Sequence, residues 1–246
     1  MYNPYSLENK TVLITGASSG IGRATAMECS KLGAKCVITG RNAERLNETF
    51  SLLSGDGHSQ ILADLTIEKD IETLVEQLPV LDGFVCNAGI TTTKPINYIK
   101  QSDMDSLFSV NTFAPVILTK TLLKKKKLSK GSSVVFTSSI ASETQAPGNS
   151  IYAMTKSAVA TFSRFCALEF ASRPIRFNSV HPGMVNTEMT DNLIFSKEEL
   201  EADKQRYPLK RYAEPQEIAW AIIYLLSDAS AFVTGTALKI DGGVTL

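Results

Sequence analysis

The chain has 246 residues, of which 43% are hydrophobic and 20% are charged. This length is enough for one sizeable core, and the composition is that of a soluble globular protein rather than a disordered or fibrous one. Lysine plus arginine and aspartate plus glutamate are balanced at 25 each. Because a surface that binds nucleic acid needs an excess of positive charge, we expect no nucleic-acid partner.

The amino-terminal segment and the cysteines favour a cytoplasmic protein. The first ten residues, MYNPYSLENK, lack the basic start and apolar stretch of a signal peptide. The longest apolar run, AWAIIYLL at 219–226, is far shorter than the ~20 residues that a membrane span needs. Four cysteines, at 29, 36, 86 and 166, lack the spacing of a metal site, and only two histidines accompany them. We therefore expect buried free thiols, no metal and no membrane contact.

Short β-branched runs alternate with longer segments of helical periodicity. The predicted strands are 11–16, 35–40, 59–64, 81–87, 132–139, 175–182 and 237–243, and the predicted helices are 21–32, 43–54, 67–78, 103–127, 151–171 and 215–227. Strands that are apolar throughout are typical of a parallel sheet covered on both faces. This order predicts one α/β domain over residues 1–246, with a doubly wound parallel sheet of about seven strands and helices on both faces.

A glycine-rich turn, TGASSGIG at 15–22, follows the first predicted strand and opens the first predicted helix. Gly16 permits the tight turn, and Gly20 and Gly22 allow a pyrophosphate to approach the backbone. The amino terminus of the helix then presents N–H groups to that negative charge. Strand, turn and helix in this order predict a Rossmann-type dinucleotide site, to which Ser18, Ser19 and Ile21 also contribute contacts.

The end of the second predicted strand, VITGRN, indicates which dinucleotide is bound. NAD-binding folds place an acidic residue here to hold the ribose 2′-hydroxyl. This chain instead has Gly40, followed by Arg41 and Asn42. Because the planar donor fork of a guanidinium suits a 2′-phosphate better than a hydroxyl, the sequence favours NADP(H) over NAD(H). The alternative is that Arg41 only faces solvent.

Tyr152 and Lys156 lie four positions apart in NSIYAMTKSA, so a helix places them on one face. A free tyrosine titrates near ~10, and proton transfer close to neutrality requires its pKa to fall by about three units. An ammonium about 4 Å away contributes on the order of 4 kcal/mol at an effective dielectric of about 20, which is sufficient. The pair is a candidate acid/base device; on this stretch alone, a packed ring beside a solvated lysine is the alternative.

Six motifs occur together in one order along the chain: TGASSGIG at 15–22, NAG at 87–89, Asn111 in SVNTF, Ser139 in FTSSIA, YAMTK at 152–156 and HPGMV at 181–185. With this order and spacing, the chain from Lys10 to Gly243 resembles the short-chain dehydrogenase/reductase family. The resemblance implies an NAD(P)-dependent oxidoreductase that acts on a small-molecule carbonyl or alcohol.

The resemblance also implies a catalytic set of four residues. Tyr152 is the proton donor or acceptor, Lys156 tunes it, Ser139 polarises the carbonyl and Asn111 holds a water relay. Ser139 is preferred to Ser138 because the family's serine stands thirteen residues before its tyrosine, as Ser139 does. Besides Tyr152 and Lys156, further cofactor contacts are implied for Asp64, Leu65, Asn87, Ala88, Gly89, Pro182, Gly183, Val185 and Thr187.

Two segments are expected to shape the substrate side. The polar stretch 186–212 lies beyond the carboxyl end of a predicted strand, where open α/β sheets bind ligands, and is a candidate lid. Residues 142–150 form a second wall, in which Glu143 and Gln145 either contact the substrate or face solvent. Ser142 stands where many members of the family have glycine.

Two further features indicate partners. The helix 151–171 is apolar on nearly every side, which predicts that the sheet covers one face and a second subunit the other. The resemblance to the family implies that the assembly is a homotetramer, with a dimer as the alternative. The lysine run KKKKLSK at 124–130 suits the carboxyl end of a helix. Ketoacyl-carrier-protein reductases of the family dock an acidic carrier with basic side chains, and Lys130 and Arg173 stand at matching positions.

Three functions are compatible with the sequence. The first is NADP-dependent reduction of a ketoacyl thioester on an acyl carrier protein, a step of fatty acid biosynthesis. The second is oxidation or reduction of a free small compound such as a sugar, a ketone or a polyketide-like molecule. The third is a non-enzymatic dinucleotide-sensing module, against which the intact catalytic set argues.

Overall fold

The strands of the described chain form one parallel sheet. The structure is a computed structural model and describes residues 2–191 and 196–246. The strands are β1 (Thr11–Thr15), β2 (Lys35–Gly40), β3 (Ser59–Leu62), β4 (Leu81–Cys86), β5 (Leu128–Thr137), β6 (Arg176–Pro182) and β7 (Ala237–Ile240), in the spatial order β3-β2-β1-β4-β5-β6-β7. The predicted doubly wound sheet of seven parallel strands is confirmed.

Helices cover both faces of the sheet. They are α1 (Gly20–Lys31), α2 (Ala43–Ser51), α3 (Glu68–Gln77), α4 (Gln101–Phe108), α5 (Ala114–Lys124), α6 (Ser150–Glu169), α7 (Glu188–Asp191), α8 (Lys197–Lys204) and α9 (Pro215–Leu226). Neighbouring residues of a strand point to opposite faces. Leu13 therefore joins the core beneath α3, α5 and α6, whereas Ile14 joins the core beneath α1 and α9.

The predicted helix 103–127 contains an irregular turn. Residues Ser109–Phe113 form a π-helical turn between α4 and α5. Asn111, in this turn, points its side chain inward and bonds the main chain of Ile90 through both amide atoms, at 2.9 Å each. Periodicity does not reveal such a turn, because it depends on a contact with a distant loop. π-Helical turns of this kind occur frequently at functional sites.

Strand β5 is longer than predicted at its amino end. The prediction started at residue 132, whereas the strand begins at Leu128 and ends at Thr137. Leu128 is buried, but residues 129–131 after it are polar or glycine and at least partly exposed, with Gly131 at a φ of 87°, so they lack the apolar pattern used to recognise strands. The edge strand β3 is also mostly exposed, and it ends two residues earlier than predicted.

The cysteines and the longest helical stretch bear on the remaining fold expectations. All four cysteines are free and buried, as predicted, and no cluster suited to a metal ion occurs within the described residues.

The continuous helical stretch Gln101–Lys124 is long and apolar enough to cross a membrane by length and composition alone. It is weak evidence for a span, because its residues Leu118 and Leu122 are fully buried in the core beneath the sheet.

Candidate active site

A cleft of about 900 Å³ runs along the carboxyl-terminal edge of the sheet, from the glycine-rich turn to Tyr152. It passes the carboxyl ends of β1 and β4, where the direction of the chain through the sheet reverses, which is where open α/β sheets bind ligands. Its lining includes these predicted residues: Gly16, Ser18, Ser19, Gly20, Ile21, Arg41, Asn42, Asp64, Leu65, Asn87, Ala88, Gly89, Ser139, Tyr152, Lys156, Pro182, Gly183, Val185 and Thr187. Gly22 and Asn111 lie behind the wall.

The glycine-rich turn has a shape that only glycine permits. Gly16 and Gly20 have φ values of 64° and 51°, in the left-handed region. A Cβ atom on Gly22 would lie 2.1 Å from the carbonyl oxygen of Gly16, so this glycine lets α1 pack against the turn. Within the described ranges, the N-cap residue Ser19 makes no side-chain capping bond to α1. The first N–H groups of the helix are thus available to an anion, and the cradle fits a pyrophosphate.

The NAG segment is fastened to the end of β1. The hydroxyl oxygen of Thr15 accepts hydrogen bonds from the main-chain N–H groups of Asn87, at 3.0 Å, and Ala88, at 3.1 Å. The amide of Asn87 donates in turn to the Thr15 carbonyl at 3.2 Å. These bonds hold the ends of β1 and β4 together beneath the cleft. Sequence analysis missed Thr15, although it is a polar residue at the end of an otherwise apolar strand.

The carboxyl end of β2 disfavours an acidic side chain at position 40. A Cβ atom on Gly40 would lie 2.3 Å from the Ser18 hydroxyl, so a larger residue requires this serine to move. Arg41 lines the cleft beside it, with 59% of its side chain exposed, and its Nη1 lies 3.9 Å from Oδ2 of Asp64. Asn42 caps α2 by accepting a hydrogen bond from the N–H of Arg45 at 2.9 Å. A guanidinium therefore stands at the mouth of the cleft.

Helix α6 brings Tyr152 and Lys156 to one face, as their spacing predicts. The Lys156 ammonium donates a hydrogen bond to the Thr137 carbonyl at 2.8 Å and lies 5.7 Å from the centre of the Tyr152 ring. Gly89 faces both Lys156 and Asn111, since a Cβ atom here would lie 3.3 Å from the ammonium and from the Asn111 amide oxygen. Because glycine has no side chain, position 89 leaves room around the Lys156 ammonium.

The direction of the Tyr152 pKa differs from the sequence expectation. Burial raises the pKa of Tyr152 to about 12, and the neighbouring Ser139 side chain lowers it only in part. Burial also lowers the pKa of Lys156 to about 8. This direction is opposite to the predicted shift toward neutrality, because the burial of the phenol outweighs the hydrogen bond with Ser139. At neutral pH the phenol keeps its proton.

The two candidate serines point in different directions. The Ser138 hydroxyl is buried and donates to the main-chain carbonyl of Lys156 at 2.9 Å, which fixes β5 against α6. The Ser139 hydroxyl oxygen accepts a hydrogen bond from the N–H of Ala141 at 3.1 Å. Its own hydrogen is thus free to be donated into the cleft toward Tyr152.

The side chain of Asn111 is occupied by structural bonds. In addition to its two bonds to Ile90, its amide donates to the hydroxyl of Thr155 at 3.1 Å. Only 1% of the residue is exposed. The Asn111 side chain thus holds the loop at Ile90 against α6, and the water relay implied for this residue stays a prediction. Thr155, one residue before Lys156, is a second partner that the sequence did not single out.

Only part of the two segments predicted to shape the substrate-binding side lines the cleft. Gln145 lines the cleft, whereas Glu143 turns away from it and pairs with Lys239 at 2.8 Å. The stretch 186–212 contains α7 and α8, and a hydrogen bond of 2.9 Å from the N–H of Asn186 to the carbonyl of Ala213 brings its two ends together. Residues 192–195 of this candidate lid lie outside the described residues.

The comparisons with known proteins agree with this geometry. A family model described as Enoyl-(Acyl carrier protein) reductase matches residues 16–245. A solved structure titled short chain dehydrogenase/reductase family protein is 33% identical, with a TM-score of 0.87, and the alignment covers 98% of this chain and 100% of that one. The chain belongs to the short-chain dehydrogenase/reductase family.

Three other relatives illustrate the range of this family. A 3-oxoacyl-[acyl-carrier-protein] reductase of Rickettsia felis is 33% identical over 240 residues, 98% of each chain. A glucose 1-dehydrogenase of Gluconobacter oxydans is 34% identical over 246 residues, 96% of this chain and 92% of that one. A solved gluconate 5-dehydrogenase from Beutenbergia cavernae, described as putative and NAD(P) dependent, with bound NADP at low occupancy, is 29% identical with a TM-score of 0.90 and covers 99% of both chains.

Membership establishes an NAD(P)-dependent oxidoreductase. Other residues line the cleft besides those predicted one by one. Those within the predicted segments 142–150 and 186–212 are Thr144, Ala146, Pro147, Asn149, Glu188, Met189, Thr190, Glu199, Leu200, Asp203, Arg206, Tyr207 and Tyr212. Lining residues outside these two segments, which were given no role, include Thr66, Ile90, Thr91, Thr93, Val110, Thr137, Ile140, Ala141, Met184, Val244 and Thr245. Most of this second group lie in loops, where no periodic pattern identifies the side that faces the cleft.

The two basic residues suggested for carrier docking lie at the opposite edge of the sheet from the cleft. Lys130 is at the amino end of β5, and Arg173 precedes β6; both are exposed. Lys130 lies in the irregular part of β5 between Leu128 and Ser133, before the regular pairing with β4, whereas Thr137 ends the strand beside the cleft. Within one chain these residues do not flank the mouth of the cleft.

Proposed function

We propose that this short-chain dehydrogenase/reductase is an NADP(H)-dependent reductase that converts the ketone of a 3-oxoacyl thioester into an alcohol. The observation that carries the proposal is the convergence of the Ser139 hydroxyl, the protonated Tyr152 phenol and the Lys156 ammonium on one wall of the cleft. A hydrogen-bond donor, a proton donor and a cation at one point are what the reduction of a carbonyl requires.

In this proposal the nicotinamide supplies a hydride to the carbonyl carbon when the cofactor is bound. The Ser139 hydroxyl donates a hydrogen bond to the carbonyl oxygen and stabilises the negative charge that develops there. Tyr152 delivers its proton to the same oxygen. Lys156 keeps one N–H bond on the Thr137 carbonyl and has two more hydrogens for the tyrosine oxygen and a ribose hydroxyl.

The preference for NADP(H) rests on the end of β2. Gly40 supplies no carboxylate for a ribose 2′-hydroxyl, and the Arg41 guanidinium beside it in the cleft would bind a 2′-phosphate. A planar guanidinium binds a phosphate through two parallel hydrogen bonds. The remaining cofactor contacts proposed are those of the glycine-rich turn, the NAG segment and the loop after β6.

Two observations support a 3-oxoacyl thioester as the substrate. One is that the Rickettsia felis relative is named a 3-oxoacyl-[acyl-carrier-protein] reductase. The other is the apolar character of much of the outer cleft, where Ala146, Pro147, Met184, Met189 and Leu200 offer contacts to an acyl chain. Because Lys130 and Arg173 lie at the far edge of the sheet, an acyl carrier protein bound to them would have to serve the cleft of another copy of the chain.

A second candidate is a free small carbonyl or alcohol compound. The glucose 1-dehydrogenase relative favours it. The cleft also presents uncharged hydrogen-bonding side chains, Thr91, Thr93, Gln145 and Asn149, that suit the hydroxyl groups of a sugar. A dinucleotide-sensing module is the least supported function, because sensing does not require Ser139, Tyr152 and Lys156 together.

The test is NADPH consumption with an acetoacetyl thioester, on an acyl carrier and on a short carrier mimic, beside a panel of free ketones and keto-sugars. We expect turnover of the thioester, with NADPH preferred to NADH. Turnover of a free compound but not of the thioester would move the assignment to the second candidate. No turnover with any of them would favour the sensing module.

The variant Lys130→Glu/Arg173→Glu tests the carrier. Activity on the carrier-bound substrate should fall while activity on the mimic is retained. Equal activities of the variant and the wild type on the carrier-bound substrate would contradict docking at these residues. We further propose a cytoplasmic location, and a homotetramer or dimer that covers the outer face of α6.

A further inference from the structure

A partly buried hydrogen-bond network lies behind Ser139, on the side away from the cleft. The hydroxyl of Ser142 donates a hydrogen bond to the main-chain carbonyl of Ser139 at 2.7 Å. The main-chain N–H of Ser142 donates to the same carbonyl at 3.1 Å. These two bonds close the short helical turn Ile140–Ser142, and so they fix the point of the chain from which the Ser139 hydroxyl projects.

The imidazole of His181 supports Ser142 from the end of β6. Only 2% of His181 is exposed. Its Nδ1 lies 3.1 Å from the Ser142 hydroxyl and 3.2 Å from the Glu143 carboxylate, and its Nε2 lies 3.0 Å from the Ser179 hydroxyl. Because the Ser142 hydrogen already points to Ser139, the hydrogen in its contact with His181 comes from Nδ1. Nε2 then accepts from Ser179 in the neutral ring.

Burial, together with the charged groups around it, determines the protonation state of His181. The Glu143 carboxylate bridges Nδ1 of His181, at 3.2 Å, and the Lys239 ammonium, at 2.8 Å. Burial lowers the pKa of His181; Glu143 raises it in part, while the cations of Lys239 and Arg164 lower it further. A neutral ring at pH 7 agrees with the hydrogen-bond pattern.

Ser142 also contacts α6. The hydroxyl of Ser157, the residue after Lys156, donates to the main-chain carbonyl of Ser142 at 3.2 Å. His181 directly precedes the Pro–Gly pair that lines the cleft after β6. Ser142 therefore joins the Ser139 turn, the helix that carries the tyrosine and lysine, and the end of β6.

We propose that Ser142 and His181 are positioning residues that hold the Ser139 hydroxyl in register with Tyr152. This proposal rests on the proposed function, since it concerns the same proton-transfer site. Neither residue is part of the cleft lining, so any effect on the rate passes through Ser139. A displacement of ~1 Å in a catalytic group can cost ~10²-fold in rate, so a smaller shift of the turn is measurable.

The test is a double-mutant cycle between Ser142 and Ser139. Ser142→Ala should lower kcat about tenfold in the wild-type background, and less than about twofold in the Ser139→Ala background, where the group it positions is gone. The Kd for NADPH, measured by fluorescence, should stay constant. An unchanged kcat in Ser142→Ala, or equal losses in both backgrounds, would overturn the proposal.

Ser133→Ala is the matched control. Its hydroxyl donates a buried hydrogen bond to the Leu225 carbonyl at 2.6 Å, and Ser133 is not part of the cleft lining. The control should lower the melting temperature without changing kcat. If Ser133→Ala loses kcat to the same extent as Ser142→Ala, the loss reflects general destabilisation and the proposal fails.

Substitutions of His181 test the assigned tautomer. Asparagine places an N–H group near the position of Nδ1, whereas glutamine places it near Nε2. His181→Asn should keep most of kcat, and His181→Gln should lose about as much as Ser142→Ala. The reverse order would overturn the assignment.

Nitrogen-15 NMR of the histidine rings gives a result that does not depend on turnover. The chain has two histidines, so His181→Asn identifies the signal. The Nδ1–H tautomer is expected at pH 7, and an Nε2–H tautomer would overturn the network. If the wild type reduces no carbonyl compound, the proposed function fails and positioning with it. If the wild type is active and Ser142→Ala matches it, positioning alone fails.

Discussion

The ammonium of Lys156 donates a hydrogen bond of 2.8 Å to the main-chain carbonyl of Thr137, at the carboxyl end of β5. Only 5% of Lys156 is exposed, and burial lowers its pKa from 10.5 to about 8. The folded protein thus holds a cation where an apolar group would be more stable. Such a cost is expected of a residue that is retained for chemistry rather than for stability.

Lys156→Met should therefore be more stable than the wild type at pH 7, and inactive. Lowering the lysine pKa to about 8 corresponds to about 3 kcal/mol against the charged form, and loss of the bond to Thr137 offsets about 1–1.5 kcal/mol of it. We expect a gain of about 1–2 kcal/mol in the free energy of unfolding, measured with urea.

The gain should shrink as the pH rises. Because the folded pKa of about 8 lies below the unfolded pKa of 10.5, the unfolded chain binds more protons between these values, and this group makes the wild type more stable as pH increases. Urea titrations of the wild type and of Lys156→Met at pH 7 and pH 10 measure this change in the stability difference. Lys125→Met, at an exposed site, should show no such difference. A variant less stable than wild type at pH 7 would show that the hydrogen bond outweighs desolvation.

Tyr152→Phe should abolish reduction and leave cofactor binding intact. Removing a positioned proton donor costs ~10²–10⁴-fold in kcat. Because burial raises the tyrosine pKa to about 12, the wild-type phenol is protonated at neutral pH, so reduction has its proton donor in place. Oxidation needs the phenolate, and its rate relative to reduction should rise with pH. Steady-state rates and NADPH titrations measure both; turnover retained by the variant would exclude Tyr152 as the donor.

The α6 region shows which features of the site could be predicted from the sequence. Helical periodicity predicted 151–171 against an observed Ser150–Glu169, and i,i+4 spacing alone placed Tyr152 and Lys156 on one face. Both properties are local, so they can be deduced from neighbouring residues. The position of Ser139 relative to Ser138 followed from the motif, and strand alternation turns the two side chains apart.

Properties that depend on distant contacts were beyond the sequence. The tyrosine pKa was predicted to fall, but burial raises it, and the hydrogen bond with Ser139 lowers it only in part. Glu143 turns away from the cleft because Lys239, almost a hundred positions later, attracts its carboxylate. The π-helical turn at Asn111 likewise depends on Ile90. Each of these requires the tertiary arrangement before its chemistry can be derived.

Arg41→Ala should discriminate between the two cofactors. Loss of a charge-assisted contact to the 2′-phosphate costs about 1.5–3 kcal/mol, which raises the Kd for NADPH by about 10- to 100-fold. The Kd for NADH should be unchanged, because NADH lacks this phosphate. Arg173→Ala, at the opposite edge of the sheet, is the control. Equal effects of Arg41→Ala on both cofactors would contradict the proposed preference.

Gly22→Ala should damage the cradle itself. The added Cβ would lie 2.1 Å from the carbonyl oxygen of Gly16 and 2.7 Å from the amide of Asn87, so α1 must move away from the turn. We expect a loss of about 1–3 kcal/mol in stability, together with weaker NADPH binding. Gly89→Ala, whose nearest contacts are the Asn111 and Lys156 side chains at 3.3 Å, should lose less stability than Gly22→Ala, because side chains can yield where the Gly16 backbone cannot. Unchanged NADPH binding in Gly22→Ala would argue against a pyrophosphate at this turn.

Phe165→Glu should dissociate the proposed oligomer. The buried face of α6 packs on the sheet, whereas Met154, Phe165 and Leu168 on its other face are 55%, 58% and 75% exposed. Contiguous apolar side chains on a surface mark an interaction site, and a charge buried at such an interface without a partner is strongly unfavourable.

Light scattering after size-exclusion chromatography should show that Phe165→Glu forms a smaller species than the wild type, with the fold intact by circular dichroism. Arg164→Glu, one residue away, is the control for added negative charge on the same helix. If the wild type is already a monomer, or if Phe165→Glu keeps the wild-type mass, the outer face of α6 is not the subunit interface.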